Sequence, residues 1–229
     1  MSKKMMLLAL AAVTAVMFVL PAAASANWGV TPGNAKFSAA GPAGKLFAGG
    51  EPTIECKGPN TGSGEYENGT TGKLNLHFTE CQAEFLGITV PCSTTVTNPS
   101  LKTIVTSGTF HNVTITNGKR GVLVTPEPTT IKCQNIANLI TVNGSVIGEV
   151  TSPANSSPCV TLNNIKTIAF KFGVSGGSQV HKTHDAFAST EFDLTATTTG
   201  GSAVTAALEA TATNTFTEPK EVTIDCNNP

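Results

Sequence analysis

Apolar and polar side chains alternate along many short segments of this chain, and the clearest run covers residues 72–78. Leu74, Leu76 and Phe78 are separated there by single polar residues. A period of two is typical of a β-strand with one buried face and one face in water. The run leads into Cys81, so the pattern predicts strands that cysteines could cross-link near their ends.

Comparable segments recur to the end of the chain, and Asn117-Gly118 between two of them is the strongest hairpin signal. The segments are residues 101–106, 110–116, 121–125, 129–133, 139–150, 167–172, 191–196, 204–210 and 222–226. A helix is an alternative for the alanine-rich residues 204–210. About ten to twelve short strands at hairpin spacing predict an all-β fold, an antiparallel β-sandwich or a barrel-like domain.

Three segments lack this alternation. Residues 27–50 are rich in Gly, Ala and Pro, and we expect an extended lead-in held to the domain by Trp28 and Phe37. Residues 57–71 contain several Gly, Asn and Pro turn formers, which predict a surface loop. The polar residues 151–158 would be the boundary if the single β-rich domain predicted for residues 27–229 has two subdomains.

The N-terminus resembles a secretory signal peptide. Lys3 and Lys4 precede an apolar run, and Ala24-Ser25-Ala26 is a small-residue cleavage site, so residues 1–26 are predicted to be removed. A retained membrane anchor is the alternative reading of the apolar run. The mature chain shows no second apolar span, which predicts a protein that is secreted, extracellular or at the cell surface, with the periplasm as an alternative location.

Charge and composition narrow the classes of partner. The chain has 14 basic and 15 acidic residues, and removal of Lys3 and Lys4 leaves 12 against 15. Such a surface gives no general attraction to nucleic acid or anionic lipid. Low charge and 35 threonines suit protein or carbohydrate partners, but one Trp and one Tyr are few for a platform that stacks on sugars.

All six cysteines lie in the predicted mature chain: Cys56, Cys81, Cys92, Cys133, Cys159 and Cys226. An even number in an exported protein predicts three disulfides. Their spacing lacks the Cys-x-x-Cys pattern of a zinc site. Among the fifteen pairings that six cysteines allow, we expect Cys81–Cys92, Cys56–Cys133 and Cys159–Cys226.

Two motifs contain residue types that serve in catalysis or metal binding. The segment 173–177 matches Gly-x-Ser-x-Gly around Ser175, but no helical pattern follows it and no histidine follows Asp185, so a glycine-rich turn is the preferred interpretation. His181, His184 and Asp185 form the densest ionisable group and are the candidate metal ligands. A solvated hairpin tip is the alternative we favour, so no metal, cofactor or catalytic residue is predicted.

Several short motifs resemble a group of short bacterial exported β-proteins. The matching segments are 37–41, 49–50, 54–56, 78–81, 91–92 and 144–148. A likeness confined to residues 37–56 is to the exported proteins called activators of alkane oxidation. The first group has no known function, and Cys159 and Cys226 depart from its pattern. The resemblance implies an exported β protein and transfers no active site.

These observations favour a non-catalytic exported protein with a structural or adhesive role, whose surface loops bind protein or carbohydrate. The first alternative is a small secreted hydrolase with a site assembled from distant acids or from residues 181–185. The second is a carrier of small apolar ligands, which a dry cavity lined by phenylalanines would favour.

Overall fold

The computed structural model describes residues 28–49, 52–115, 118–153, 161–184 and 190–224. Strands make up 69% of the structure, and no α-helix occurs in the described ranges. The prediction of an antiparallel all-β fold is therefore confirmed. Within the same ranges, no helix is long and apolar enough to span a membrane. The predicted signal peptide lies outside the described residues, as do residues 154–158 of the predicted boundary.

The described part of the chain contains eighteen strands, numbered in chain order: β1 (Trp28–Thr31), β2 (Lys36–Gly41), β3 (Gly44–Ala48), β4 (Ile54–Cys56), β5 (Asn60–Tyr66), β6 (Thr71–Phe78), β7 (Cys81–Phe85), β8 (Ile88–Ser93), β9 (Ile104–Ile115), β10 (Lys119–Pro126), β11 (Thr129–Cys133), β12 (Leu139–Gly144), β13 (Val146–Ser152), β14 (Leu162–Phe172), β15 (Val174–Ser175), β16 (Ser178–Gln179), β17 (Leu194–Thr198) and β18 (Ala203–Ile224). The predicted hairpin at Gly118 is confirmed, because β9 and β10 pair across it.

Two closed rings of antiparallel strands share β18. The upper ring runs β2, β5, β6, β9, β10, β13, β14 and back through the C-terminal part of β18 to β2. The lower ring runs β3, β4, β7, β8, β11, β12, β17 and back through the N-terminal part of β18 to β3. Both rings are closed, so neither leaves a free edge in its ladder.

The two rings are the halves of one barrel. Strands that follow each other in the chain, such as β2 and β3 or β6 and β7, occupy the same place in the two rings. Each such pair is an interrupted long strand, and β18 runs the whole length without a break. The result is an eight-stranded up-and-down antiparallel barrel, which we divide below into its upper and lower halves.

The inside of the barrel is apolar because the strands alternate. In β6, Leu74 is buried, whereas Lys73, Asn75 and His77 are exposed. One continuous core cluster extends through both halves and contains residues from nearly every strand of the two rings. The alanine-rich residues 204–210 belong to β18, so the strand prediction for them is confirmed over the helical alternative.

Glycines on the inner face make room for aromatic rings. Gly64 of β5 pairs with Phe37 of β2, and a Cβ on Gly64 would lie 2.8 Å from Phe37 Cε1. Gly72 of β6 pairs with Phe110 in the same way, and a Cβ on Gly72 would lie 2.6 Å from Phe110 Cζ. The prediction of a surface loop at residues 57–71 is therefore wrong over β5: its glycines serve packing inside a strand rather than turning.

The N-terminal segment also departs from the prediction. The sequence predicts an extended lead-in over residues 27–50, but their described part forms β1, β2 and β3, and β2 and β3 complete the two rings. Their small residues suit positions where strands approach closely: a Cβ on Gly41 would collide with the main chain of Thr211 in β18.

Two disulfides fasten neighbouring strands of the lower half, and the predicted pairing is wrong for these four cysteines. Cys56 is bonded to Cys81, and Cys92 is bonded to Cys133, rather than Cys81 to Cys92 and Cys56 to Cys133. In each bond the two cysteines are direct partners in the strand register. Cys159 and Cys226 lie outside the described residues, so their pairing stays a prediction. Two disulfides are typical of a protein that folds outside the cytoplasm.

Trp28 covers the upper end of the barrel. Its strand, β1, pairs with the end of β18, yet its indole Nε1 donates hydrogen bonds to Val113 O at 3.0 Å and Gly121 O at 3.1 Å. Those carbonyls belong to β9 and β10, which lie on the far side of the ring from β18. The side chain therefore crosses the end of the barrel, where it is 1% exposed.

Candidate ligand cavity inside the barrel

Below Trp28, four aromatic rings fill the top of the barrel. Phe37, Tyr66, Phe110 and Phe216 make mutual contacts with centroid distances from 4.7 to 6.3 Å. Tyr66 is fully buried, which raises its pKa, and its hydroxyl lies 3.4 Å from Asn112 Oδ1. This aromatic layer forms the ceiling of the interior space beneath it.

An apolar cavity of about 100 Å³ lies under this layer. It is lined mainly by hydrocarbon side chains, among which five are phenylalanines: Phe37, Phe78, Phe110, Phe170 and Phe172. Alternation in β14 places Phe170 and Phe172 on the inner face, as the sequence pattern at residues 167–172 indicates. We call this space the upper cavity.

A second cavity of about 100 Å³ lies in the lower half and is also lined mainly by apolar groups. The two spaces share five lining residues: Leu76, Phe78, Val124, Val146 and Leu208. They are therefore adjacent chambers of one interior, separated only by side chains. We call this second space the lower cavity.

An open depression of about 580 Å³ lies on the outer face of β2, β5, β6 and β18. An ion pair between Lys36 Nζ and Glu65 Oε2 at 3.7 Å lies on its rim. Its two aromatic lining residues, Phe37 and Phe216, are buried, so they offer no ring face for a sugar to stack on. The interior cavities are the better-formed candidate site.

The segment around Ser175 is a tight turn. β15 and β16 pair across Gly176 and Gly177, whose φ angles are +59° and +80°. Ser175 pairs with Ser178 in this short hairpin, and no helix follows within the described residues. The preferred interpretation of a glycine-rich turn is thus confirmed.

The candidate metal ligands lie in different surroundings. His181 Nε2 lies 3.3 Å from Glu149 Oε2, and Lys119 Nζ lies 2.7 Å from Glu149 Oε1. Partial burial raises the pKa of Glu149, but the hydrogen bonds and charges of Lys119 and His181 outweigh it and lower that pKa overall. Asp185 lies outside the described residues. Within the described ranges, no three His, Cys, Asp or Glu side chains are grouped to hold a metal ion.

His184 packs against the outside of the barrel. It forms an isolated bridge with Ile115, and its ring stacks on Phe192 at a centroid distance of 5.1 Å. Phe192 packs in a small outer cluster with Val113, Ile115, Ile147 and Leu123. His184 is 3% exposed, so it does not form the solvated hairpin tip expected for residues 181–185.

Acidification is expected to destabilise the folded protein through His111 and His184. Burial lowers the pKa of His111, and burial together with the charge of His111 lowers the pKa of His184. The unfolded chain therefore binds more protons below about pH 6.5, and stability falls as the pH decreases through that value toward the folded-state pKa values. Urea unfolding at about pH 7.5 and 5.5 measures the effect.

The double variant His111→Gln/His184→Gln is the matched control, because glutamine does not titrate. Its unfolding midpoint should change less between the two pH values than that of the wild type. An equal or higher wild-type midpoint at the lower pH would contradict the expectation.

No protein family, curated protein or solved structure matches this chain. The resemblance to short bacterial exported β-proteins therefore stays a hypothesis.

Several buried residues around the candidate site carry no distinctive sequence signal. Trp28 and Gln179 are isolated in segments without alternation, and Asn60, which is buried between the halves, lies in a stretch of turn formers. Asn60 Oδ1 accepts a hydrogen bond from Thr79 N at 3.2 Å. The alternating phenylalanines were the one sequence signal that pointed to the interior.

Proposed function

We propose that the protein is a non-catalytic binding protein that holds a small apolar molecule inside its barrel. The observation that supports this most directly is the pair of adjacent cavities lined by hydrocarbon side chains, including five phenylalanines. Apolar cavities in proteins stay dry, and such a space can accept an apolar guest without the loss of water hydrogen bonds. This interior site is favoured over surface loops as the binding site.

The size of the space limits the ligand. Each chamber holds about 100 Å³, whereas pockets for drug-sized molecules are about 300–1,000 Å³. Engineered apolar cavities of about 150 Å³ bind benzene or xenon. The ligand class is therefore a small, uncharged, apolar molecule that occupies one chamber or extends through both.

Filling the upper cavity is expected to abolish binding without unfolding the barrel. Ala212 of β18 lines that cavity, and its neighbour Thr213 is exposed. Ala212→Leu would place three more carbon atoms in the space, so xenon binding measured by ¹²⁹Xe NMR should be lost or strongly reduced. Circular dichroism should report unchanged strand content.

Thr213→Leu is the matched control, because it adds a similar side chain on the outer face of the same strand. It should retain the wild-type xenon affinity. Absence of xenon and benzene binding by the wild type would contradict the proposed function, and so would equal binding by the two variants.

Export and partners remain proposals beside this one. An oxidising compartment fits the two disulfides, and secretion or attachment at the cell surface would put the barrel there. A structural or adhesive role through the loops at the barrel ends is compatible with an interior ligand, since different surfaces would serve the two.

A further inference from the structure

One long strand of the barrel is interrupted far more than the others. β14 ends at Phe172 and β17 begins at Leu194, and the two occupy the same place in the upper and lower rings. Of the residues between them, 173–184 and 190–193 are described, and none of these belongs to a strand of either ring. On β18, Ala210 pairs with Phe172 and Ala206 pairs with Leu194, so Leu208 faces the gap.

A side chain closes this gap in place of a strand. Gln179 Oε1 accepts a hydrogen bond from Leu208 N at 3.1 Å, and Gln179 Nε2 donates to Leu208 O at 3.3 Å. The same Nε2 donates to Gly173 O at 3.0 Å. The carboxamide thus supplies the hydrogen-bond donor and acceptor that the main chain of a neighbouring strand would supply to Leu208. Gln179 is only 4% exposed.

The gap leads directly to the candidate site. Phe172 and Leu208 line the upper cavity, and Leu194 and Leu208 line the lower cavity, so the residues that border the gap also border the candidate site. We propose that the hairpin of residues 173–180, which carries Gln179, is the gate through which the apolar ligand enters and leaves. This inference rests on the proposed function, because it assigns the entrance of the same cavity.

Moving the hairpin breaks fewer interactions than opening an end of the barrel, which favours the gap as the route to the cavities. Moving the hairpin away from β18 breaks the Gln179 side-chain bonds to Leu208, and it leaves the two rings paired on either side of the gap. Opening the upper end would require removal of Trp28 from its two carbonyl partners and displacement of the aromatic layer. Separating two paired strands elsewhere would break a main-chain ladder.

The gate is tested by the exchange rate of xenon between cavity and solvent, measured by ¹²⁹Xe NMR. Gln179→Ala removes the hydrogen bonds that close the gap, so the exchange rate should rise about tenfold or more, since each such bond contributes to stability. Trp28→Phe removes the two indole hydrogen bonds at the upper end, and Gln134→Ala changes an exposed glutamine. Both controls should exchange at the wild-type rate.

A second measurement uses the wild-type protein alone. If the hairpin opens while the barrel stays folded, the Leu208 amide should exchange its hydrogen faster than the amides of Ala206 and Ala210. Equal protection of all three amides would overturn the gate, as would xenon binding whose rate is unchanged in Gln179→Ala or is raised instead by Trp28→Phe. Absence of xenon and benzene binding in every variant would overturn the proposed function itself.

Discussion

Replacing Cys92 and Cys133 together by alanine is expected to lower the free energy of unfolding by about 2–5 kcal/mol, the usual range for a native disulfide. The bond joins β8 to β11, whose register contains only two residue pairs. Few main-chain bonds therefore hold the lower ring closed at this point. Urea or guanidinium unfolding followed by circular dichroism measures the loss.

Cys56→Ala/Cys81→Ala is the matched comparison. That bond joins β4 to β7, which share three residue pairs, and its sequence separation is 25 rather than 41. A disulfide that closes a shorter loop restricts the unfolded chain less. The loss of unfolding free energy should therefore be smaller for the Cys56/Cys81 variant. A Cys92/Cys133 variant as stable as the wild type, or less affected than the Cys56/Cys81 variant, would show that the strand ladder needs no covalent support there.

Gly64→Ala is expected to destabilise the barrel by about 1–3 kcal/mol or more, the range for overpacking a filled core. The new Cβ would lie 2.8 Å from Phe37 Cε1 and 2.8 Å from Lys73 O. Lys73 O belongs to the main chain of β6 and cannot move without disturbing the ladder, and Phe37 is fixed by the aromatic layer. Thermal and urea unfolding measure the change.

Gly44→Ala provides the control at a strand glycine of β3. Its Cβ would meet Glu209 O at 3.5 Å and Ala210 Cβ at 3.6 Å, which are ordinary contacts. This variant should be as stable as the wild type or slightly more stable, since alanine has less freedom to lose on folding. If the two variants are equally stable, the close packing of Phe37 against Gly64 is not the reason that a glycine is needed at residue 64.

Alternation was sufficient to predict the fold class and many of the strands, because inward and outward positions follow each other directly in β6, β14 and β18. It failed where an inner position holds glycine. In β5 the inner position at Gly64 is filled by the ring of Phe37, which comes from the neighbouring strand β2. The sequence of residues 57–71 by itself therefore shows no apolar alternation and resembles a loop. Strand pairing alone reveals the function of these glycines.

The candidate site was predictable only in part. Phenylalanines at alternating positions, such as Phe170 and Phe172, indicate an aromatic inner face, but the size of the space depends on how eight strands close. The prediction of the disulfide pairing was wrong for the same reason. Cys56 and Cys81 face each other in the strand register, which depends on which strands are neighbours. Gln179 has no local signal at all, since its partner Leu208 lies 29 residues further on.

The uninterrupted strand β18 has a consequence for how the molecule is made. Both rings close only when residues 203–224 of β18 have paired. Phe216 of β18 pairs with Phe37 of β2, and most of the described chain lies between these two residues. Contacts of such long sequence separation form slowly, and until they form the nascent chain exposes two unpaired edges to neighbouring copies. We expect refolding to be slow and its yield to fall as protein concentration rises.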